Sequence, residues 1–145
     1  MKKQILVPVL IILIVAGMLL CMSFGLNKSA AANAQAEHQK IMETILPGST
    51  EFTVEPYAGD DANIRSVHKG ETGFVVETVT YGYAGDITML IGVTNEGKVT
   101  GLVVRDMSDT LGLGGNALTD HVFLAQFLNT SGEAEVGTNI DAISG

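Results

Sequence analysis

Residues 74–104 read FVVETVTYGYAGDITMLIGVTNEGKVTGLVV, and the prediction of the fold starts from this pattern. It opens on Phe, Val, Thr and Tyr, which favour strands, and then reaches a turn that ends at Gly85. Apolar residues alternate with other residues in 87–93, as they do in a half-buried strand. Gly97 suits the left-handed position of a hairpin loop, and 99–104 is again rich in β-formers. The stretch therefore predicts a three-stranded antiparallel meander.

Helices are predicted on both sides of this meander. The first covers residues 27–46 and ends at Pro47-Gly48, because apolar residues recur at helical spacing up to that point. The second begins at Asn116, a good N-cap, carries Asp120 in its first turn and ends near Asn129. Its predicted buried side comprises Leu118, Val122, Phe123, Phe127 and Leu128.

The fold class predicted from this order of elements is α+β. Residues 49–71 mix turn formers with short apolar runs, which indicates irregular chain or short strands. Helix, strands and helix in that order fit an antiparallel sheet with flanking helices better than a parallel doubly wound sheet. The chain has 145 residues, enough for one ordinary domain and an appendage.

The appendage is an uncharged apolar stretch over residues 5–26. As a helix it would be about 33 Å long, enough to cross the hydrocarbon core of a bilayer. A cleaved signal peptide is the alternative, since small residues follow at 30–34. Signal peptides usually have apolar regions of only about 7 to 15 residues, so we expect a retained transmembrane helix.

Charge predicts the topology and excludes some partners. Lys2 and Lys3 precede the apolar stretch, which places the N-terminus in the cytoplasm and the domain outside it, in the cell membrane. All sixteen acidic residues and only six of the eight basic ones follow Leu26. The domain is therefore strongly acidic, which disfavours nucleic acid and anionic lipid as partners.

Few residues suit a metal or a catalytic nucleophile. The single cysteine, Cys21, lies in the apolar stretch, so neither a disulfide within the domain nor a thiolate metal cluster is expected. The three histidines, His38, His68 and His121, are scattered along the chain. The sequence has no nucleophile elbow and no Walker-type loop, so ordinary hydrolase chemistry is unsupported.

A glycine-rich loop follows the third predicted strand. Residues 108–114 read SDTLGLG, and two glycines two positions apart expose backbone amides and let a flat ligand approach the chain. Taken alone, the loop is better described as a plain connection between a strand and a helix. Two further segments, GYAGDI at 82–87 and DAISG at 141–145, bear on this choice.

Together the three segments resemble the FMN-binding domain family. That family includes the flavin subunits of the Rnf electron-transport complex and of the sodium-translocating NADH:quinone oxidoreductase, and its segments are similar to GYGG-P-I, S-E-T-P-G-L-G and D-A-I-S-G-A-T. The resemblance extends to Leu46-Pro47-Gly48 and to the strands around Asn95-Glu96-Gly97. It implies one FMN-binding domain after the membrane helix.

The resemblance also implies the cofactor and the residues that bind it. FMN is the implied cofactor, and the positions that match the family's ring-contacting loop are Asp109, Thr110, Gly112, Leu113 and Gly114. Asp109 stands where the family has Glu, and Leu111 stands where it has Pro, so weaker or shifted contacts to the flavin ring are implied.

The closing segment departs from the family pattern. Ser144 and Gly145 match the start of the family's S/T-G-A-T motif, whose threonine carries FMN through a phosphoester, but that threonine would lie just beyond Gly145. We expect the domain to be incomplete at its C-terminus. The expected boundaries are 5–26 for the transmembrane helix, 27–48 for a membrane-proximal helix and 49–145 for the extracytoplasmic FMN-binding domain.

The function implied by the resemblance is electron transfer. The chain is expected to be a membrane-anchored, FMN-carrying subunit of an Rnf-type ion-translocating oxidoreductase complex, with other members of the complex as partners, rather than an independent enzyme. Two alternatives stay open: a flavin-free interaction subunit of a membrane complex, and an envelope reductase with an FMN domain.

Overall fold

A computed structural model describes residues 14–18, 30–107 and 115–142. Contacts divide the chain into two compact units, Met1–His38 and Gln39–Gly145. In the first unit residues 14–18 are helical, and the rest of the predicted transmembrane helix lies outside the described residues. Among the residues described, no helix has both the length and the apolar character needed to cross a membrane.

The predicted helix before the meander is confirmed where the structure describes it, and residues 27–29 of that prediction lie outside the described residues. Residues 30–45, here α1, are helical, and the division between the two units falls within them. The helix ends just before Pro47, and Gly48 adopts a φ of 88°, a left-handed conformation that favours glycine. This part of α1 is amphipathic: within the second unit Met42 and Ile45 are buried while Glu43 is not.

Five antiparallel strands form one sheet in the order β1-β2-β3-β4-β5. Their bounds are Thr53–Glu55 for β1, Ile64–Lys69 for β2, Gly73–Tyr81 for β3, Asp86–Thr94 for β4 and Val99–Met107 for β5. The predicted meander is confirmed as β3, β4 and β5. The region predicted as irregular or short-stranded supplies β1 and β2, which extend the meander on its other side.

Hairpin geometry fixes the register of the central strands. Gly97 has a φ of 82° and donates its N–H to the carbonyl of Thr94, as expected for its place in the loop between β4 and β5. Val75 pairs with Gly92, and Gly92 pairs with Gly101. Because directly paired residues point to the same face, these three positions form a row across the sheet.

The end of α1 packs against this row. A side-chain carbon at Gly101 would lie 2.8 Å from the Cα of Ile45, and one at Gly92 would clash with the Ile45 carbonyl oxygen. The absence of both side chains lets the helix backbone approach the sheet. The hydroxyl of Thr100 donates a 2.6 Å hydrogen bond to that same carbonyl. The core around this contact comprises Met42, Ile45, Leu46, Val75 and Leu90.

A buried serine holds the chain as it leaves α1. Ser49 is 2% exposed, and its hydroxyl lies 2.9 Å from that of Thr72 and accepts the Thr72 backbone N–H at 3.0 Å. The Thr72 hydroxyl also donates to the Pro47 carbonyl at 3.2 Å. These bonds tie the loop after the helix to the hairpin between β2 and β3.

The prediction of one continuous helix after the glycine loop is wrong in detail. Two short helices occur instead, α2 at Gly115–Thr119 and α3 at His121–Ala125. Asp120 is the N-cap of α3, not a first-turn residue of one longer helix, and this cap starts a new helix at that point. Val122, predicted to be buried, is 79% exposed, and Leu128 is also exposed because the chain turns after α3.

The overall class is nevertheless confirmed. An antiparallel sheet flanked by helices is an α+β architecture. Phe123 and Phe127 meet edge to face, with ring centroids 5.5 Å apart. The segment after α3 is tied to the start of β5 by two backbone bonds, from Asn129 N–H to the Val99 carbonyl and from Val99 N–H to the Thr130 carbonyl.

Replacing Gly101 by Ala should destabilise the protein. The new carbon would meet backbone atoms of Ile45, which cannot move without displacing α1. We expect a loss of roughly 1–3 kcal/mol, the usual cost of overpacking, in the free energy of unfolding measured by urea denaturation. Lys98→Ala, at an exposed position just before β5, is the control. An unchanged free energy for Gly101→Ala would contradict the close packing.

The Glu71 carboxylate should make stability depend on acid pH. A hydrogen bond from its own backbone, with others from Thr50 and Glu51, holds the pKa of Glu71 below its usual value against an opposing desolvation effect. Since the pKa is lower in the folded state than in the unfolded one, this stabilisation is present above the unfolded-state value of about 4.3 and is lost as the pH falls through the folded-state value.

Urea denaturation across this acid range should therefore distinguish Glu71→Gln from the parent chain. The variant should be less stable near neutral pH and lose less stability on acidification. Glu96→Gln, in the exposed loop after β4, is the control and should follow the parent. Parallel pH profiles for Glu71→Gln and the parent would show that the hydrogen bonds to Glu71 contribute nothing.

Candidate functional site

A cleft of about 450 Å³ lies beside the last strand of the sheet. One wall is the second half of β5, and the other is made by α2 and α3. Its lining residues are Leu102, Val103, Val104, Arg105, Asp106, Met107, Leu118, Thr119, His121 and Leu124. The volume lies in the range of about 300–1,000 Å³ that is usual for cofactor and ligand pockets.

The cleft combines apolar walls with polar groups. Leucine, valine and methionine side chains supply most of its surface, and Thr119, His121 and Arg105 supply hydrogen-bonding groups. A flat aromatic ligand with polar ring edges suits such a lining, because its faces contact apolar atoms while its edges meet donors and acceptors. Arg105 and Asp106 are exposed and lie toward solvent.

The predicted ring-contacting loop connects the two walls of this cleft. Met107 precedes it at the end of β5, and Gly115 follows it at the start of α2. The predicted residues of the loop, Asp109, Thr110, Gly112, Leu113 and Gly114, lie outside the described residues. The structure describes β5, which precedes the loop, and α2, which follows it.

The hairpin segment at 82–87 lies at the same end of the sheet. Ile87 pairs with Met107 across β4 and β5, directly before the loop. The turn between β3 and β4 is closed by a 2.7 Å bond from the Gly82 N–H to the Gly85 carbonyl. Antiparallel pairing therefore brings the segment at 82–87 to the end of the sheet at which the glycine-rich loop begins.

The closing segment reaches α3. The backbone N–H of Asp141 donates a 2.6 Å hydrogen bond to the Gln126 side-chain oxygen, and Gln126 is the C-cap of α3. Ile140, just before it, is buried. Ser144 and Gly145 lie outside the described residues. All three segments are thus attached to elements at the cleft or next to it.

The N-cap of α3 positions one wall of the cleft. The Asp120 carboxylate accepts the N–H groups of Val122 at 2.8 Å and Phe123 at 3.2 Å. These bonds satisfy donors that the first turn would otherwise leave unpaired. His121 and Leu124, which line the cleft, belong to the helix that this cap begins.

A smaller cavity of about 260 Å³ adjoins the cleft. It lies between the end of α1, the first half of β5 and α3. The two spaces share Leu102, Val103, His121 and Leu124. In the described part of the chain, α3 therefore forms a wall of both spaces.

Known proteins identify the family of this chain. Residues 82–145 match the family described as FMN-binding domain. The G-type subunit of the ion-translocating oxidoreductase complex of Methanosarcina acetivorans is 32% identical over 98% of this chain and 83% of its own length. The chain belongs to the FMN-binding family of G-type Rnf subunits. The resemblance found in the sequence is confirmed.

Two further relatives are more distant or are covered in part. The G-type subunit of the proton-translocating ferredoxin:NAD(+) oxidoreductase complex of Clostridium ljungdahlii is 25% identical over 83% of this chain and 64% of its own length. The G-type subunit of the Na(+)-translocating ferredoxin:NAD(+) oxidoreductase complex of Acetobacterium woodii is 32% identical over 68% and 44%. The chain spans less than two thirds of both these relatives.

FMN is confirmed as the cofactor of this family member. The described residues fit it, since the cleft has room for a flat ring, apolar walls and polar groups at its margin. Across the described part of the chain, no group of His, Cys, Asp and Glu could hold a metal ion.

Several residues that line the cleft lie outside the three motifs. Leu102 and Val104 looked like ordinary strand residues, and Leu124 and His121 like an ordinary helix. One signal was available: these residues flank the glycine loop on both sides, so whatever the loop binds must also contact the ends of the elements that carry it.

Removing the cap of α3 should loosen one wall of the cleft. Asp120→Ala should cost about 1 kcal/mol of stability and speed the loss of bound FMN, because α3 forms one wall of the cleft. Asp120→Asn keeps an N-cap acceptor and should restore both properties. The measurements are urea denaturation and FMN release followed by flavin fluorescence. Equal behaviour of the Ala and Asn variants would argue against the cap.

Proposed function

We propose that this chain is a membrane-anchored, FMN-carrying electron-transfer subunit of an Rnf-type ion-translocating oxidoreductase complex. The observation that carries the proposal is the attachment of all three FMN-family segments to elements at or beside one cleft. The complexes named for its relatives support the assignment to an ion-translocating oxidoreductase.

The proposed flavin site comprises the loop and the closing segment. Thr110, Gly112 and Leu113 seat the flavin ring, with Asp109 and Gly114 beside them, while Ser144 and Gly145 lie near the phosphate end. Support comes from Met107, at the end of β5, and Gly115, at the start of α2, which directly precede and follow the loop and belong to the elements that line the cleft. The apolar walls exclude water from one side of the ring.

The protein's own residues bind and orient the cofactor. FMN, when bound, supplies the electron-transfer chemistry. Leu102, Val104 and Leu124 offer apolar contacts, and the hydroxyl of Thr119 and the ring of His121 offer polar ones. Electron transfer of this kind requires no general acid or base from the protein.

The proposed arrangement of the chain follows from the N-terminal sequence. Residues 5–26 form a transmembrane helix, 27–48 a membrane-proximal helix, and 49–145 the FMN-binding domain on the extracytoplasmic side. The apolar run and the preceding lysines support this arrangement. An anchor keeps the flavin near redox partners in the same membrane, which are proposed to be other members of the complex.

Bulky residues in the loop should lower FMN occupancy. Thr110→Leu and Gly112→Leu, made in the full-length gene product, would fill the space proposed for the flavin ring. We expect FMN per protein, measured by absorbance at flavin wavelengths, to fall several-fold while the protein stays in the membrane fraction. Thr53→Leu, at an exposed position on β1, is the matched control. Unchanged FMN content in the loop variants would contradict the site.

Flavin content also separates the proposal from its flavin-free alternative. Full-length protein from a host that attaches FMN covalently should show flavin fluorescence when purified. Fluorescence that persists on a denaturing gel would indicate a covalent link. A purified, folded protein without flavin would instead support an interaction subunit.

A further inference from the structure

All three tyrosines of the chain lie at one end of the sheet and are exposed. Tyr57, Tyr81 and Tyr83 are 42%, 80% and 85% exposed. Large aromatic side chains contribute strongly to protein cores and interfaces. Several of them exposed to solvent at one end of a sheet therefore indicate an interaction surface. Within the part of the chain that the structure describes, none of the three belongs to the core cluster or to the lining of the cleft.

The strand order places these tyrosines at the same end of the sheet. Tyr57 lies in the loop between β1 and β2, which is at the end of the sheet where β3 finishes, since Ile64 pairs with Thr78. Tyr81 is the last residue of β3, and Tyr83 lies in the turn that follows. The loop after β1 is fixed there by a 2.8 Å bond from the Val79 N–H to the Asn63 carbonyl.

The same end adjoins the cofactor cleft. Tyr81 pairs with Asp86, and the next residue, Ile87, pairs with Met107 at the wall of the cleft. We call the residues 56–63, 81–86 and 105–107 the tyrosine end. The turn that contains Tyr83 joins β3 to β4, and β4 pairs with β5. This turn therefore lies about one strand spacing from the end of β5, where the glycine-rich loop begins.

The tyrosine end is acidic at its rim. Its exposed charged residues, including the adjacent start of β2, are Asp60, Asp61, Asp86 and Asp106 against Arg65 and Arg105. Aromatic side chains surrounded by charged ones resemble the anchors and rim of a protein interface. A predominantly negative rim selects partners that present positive charge.

We propose that the tyrosine end is the docking surface for the redox partner that exchanges electrons with the FMN, and that this partner presents a basic protein surface. The inference rests on the proposed electron-transfer function. Electron transfer slows steeply with distance, so the partner must approach the flavin closely. The tyrosine end offers that approach beside the cleft, and its charge guides the encounter.

The negative charge of the tyrosine end disfavours two other partners, an anionic membrane and a second copy of the chain. The surface of an anionic membrane attracts basic segments, and the rim here is mainly acidic. A second copy of the chain, docked through the same end, would oppose like charges. A basic protein surface matches both features, because it pairs with the aspartates and can accept the tyrosine rings in apolar recesses.

Photo-crosslinking tests the location of the partner. The photoreactive residue p-benzoylphenylalanine is placed at Tyr83, and separately at Glu96 in the loop at the opposite end, in the full chain assembled in its native membranes. We expect light-dependent adducts at Tyr83 with one other member of the same complex, on a peptide rich in Lys and Arg, and at least tenfold fewer at Glu96.

A double variant tests the energetic role of the tyrosines. Tyr81→Ser combined with Tyr83→Ser should keep the FMN content of the parent but slow reduction of the flavin by the assembled complex roughly tenfold, as loss of interface anchors does. The parent rate should fall as salt is raised, because salt screens the attraction between the two surfaces.

Several results would overturn this docking surface while leaving the proposed function intact. They are adducts with a second copy of the chain, with lipid or with a non-basic peptide, similar adduct yields at Tyr83 and Glu96, no adducts at all, or an unchanged rate in the double variant. Loss of FMN in that variant would also overturn it, by showing that the tyrosines serve the flavin. Absence of FMN from the parent chain would instead refute the proposed function.

Discussion

The close approach of α1 to the sheet is the contact on which the rest of the domain depends. Two glycines, Gly92 and Gly101, leave room for the backbone at Ile45, and Thr100 binds the carbonyl there. The buried residues of the domain's core cluster gather around this contact. The end of α1 contacts the first half of β5, at Thr100 and Gly101, and the second half of β5 lines the cleft.

That wall is complete only because α3 stands opposite it. Among the described residues, two neighbouring spaces of about 450 and 260 Å³ lie between α3 and the strand β5, and the smaller one also reaches the end of α1. The position of α3 depends on the cap at Asp120 and on the bonds of Val99 to the chain at 129–130. A ligand that fills the cleft would contact both α3 and β5, so its binding would also stabilise the position of α3.

The sequence predicted the parts of the fold that have strong periodicity. The meander followed from alternation in 87–93 and from Gly97, and α1 followed from its spacing and from Pro47. The break at Asp120 did not follow, because an aspartate suits a first turn and an N-cap equally well. Val122 was predicted to be buried from the phase of one continuous helix, and that phase is lost when the helix restarts.

The candidate site likewise combines residues that a sequence motif identifies with residues that only the fold identifies. Motif resemblance could point to Thr110 and Gly112, but it carried no information on Leu102 or Leu124, whose side chains have no distinctive chemistry. Only the fold shows that Leu102 and Leu124 line the cleft. Antiparallel pairing of Ile87 with Met107 places the hairpin turn at the same end of the sheet as this cleft. An electron carrier needs its cofactor sheltered yet close to a surface, and the cleft beside β5, the last strand in the order of the described sheet, has apolar walls and lies next to exposed residues.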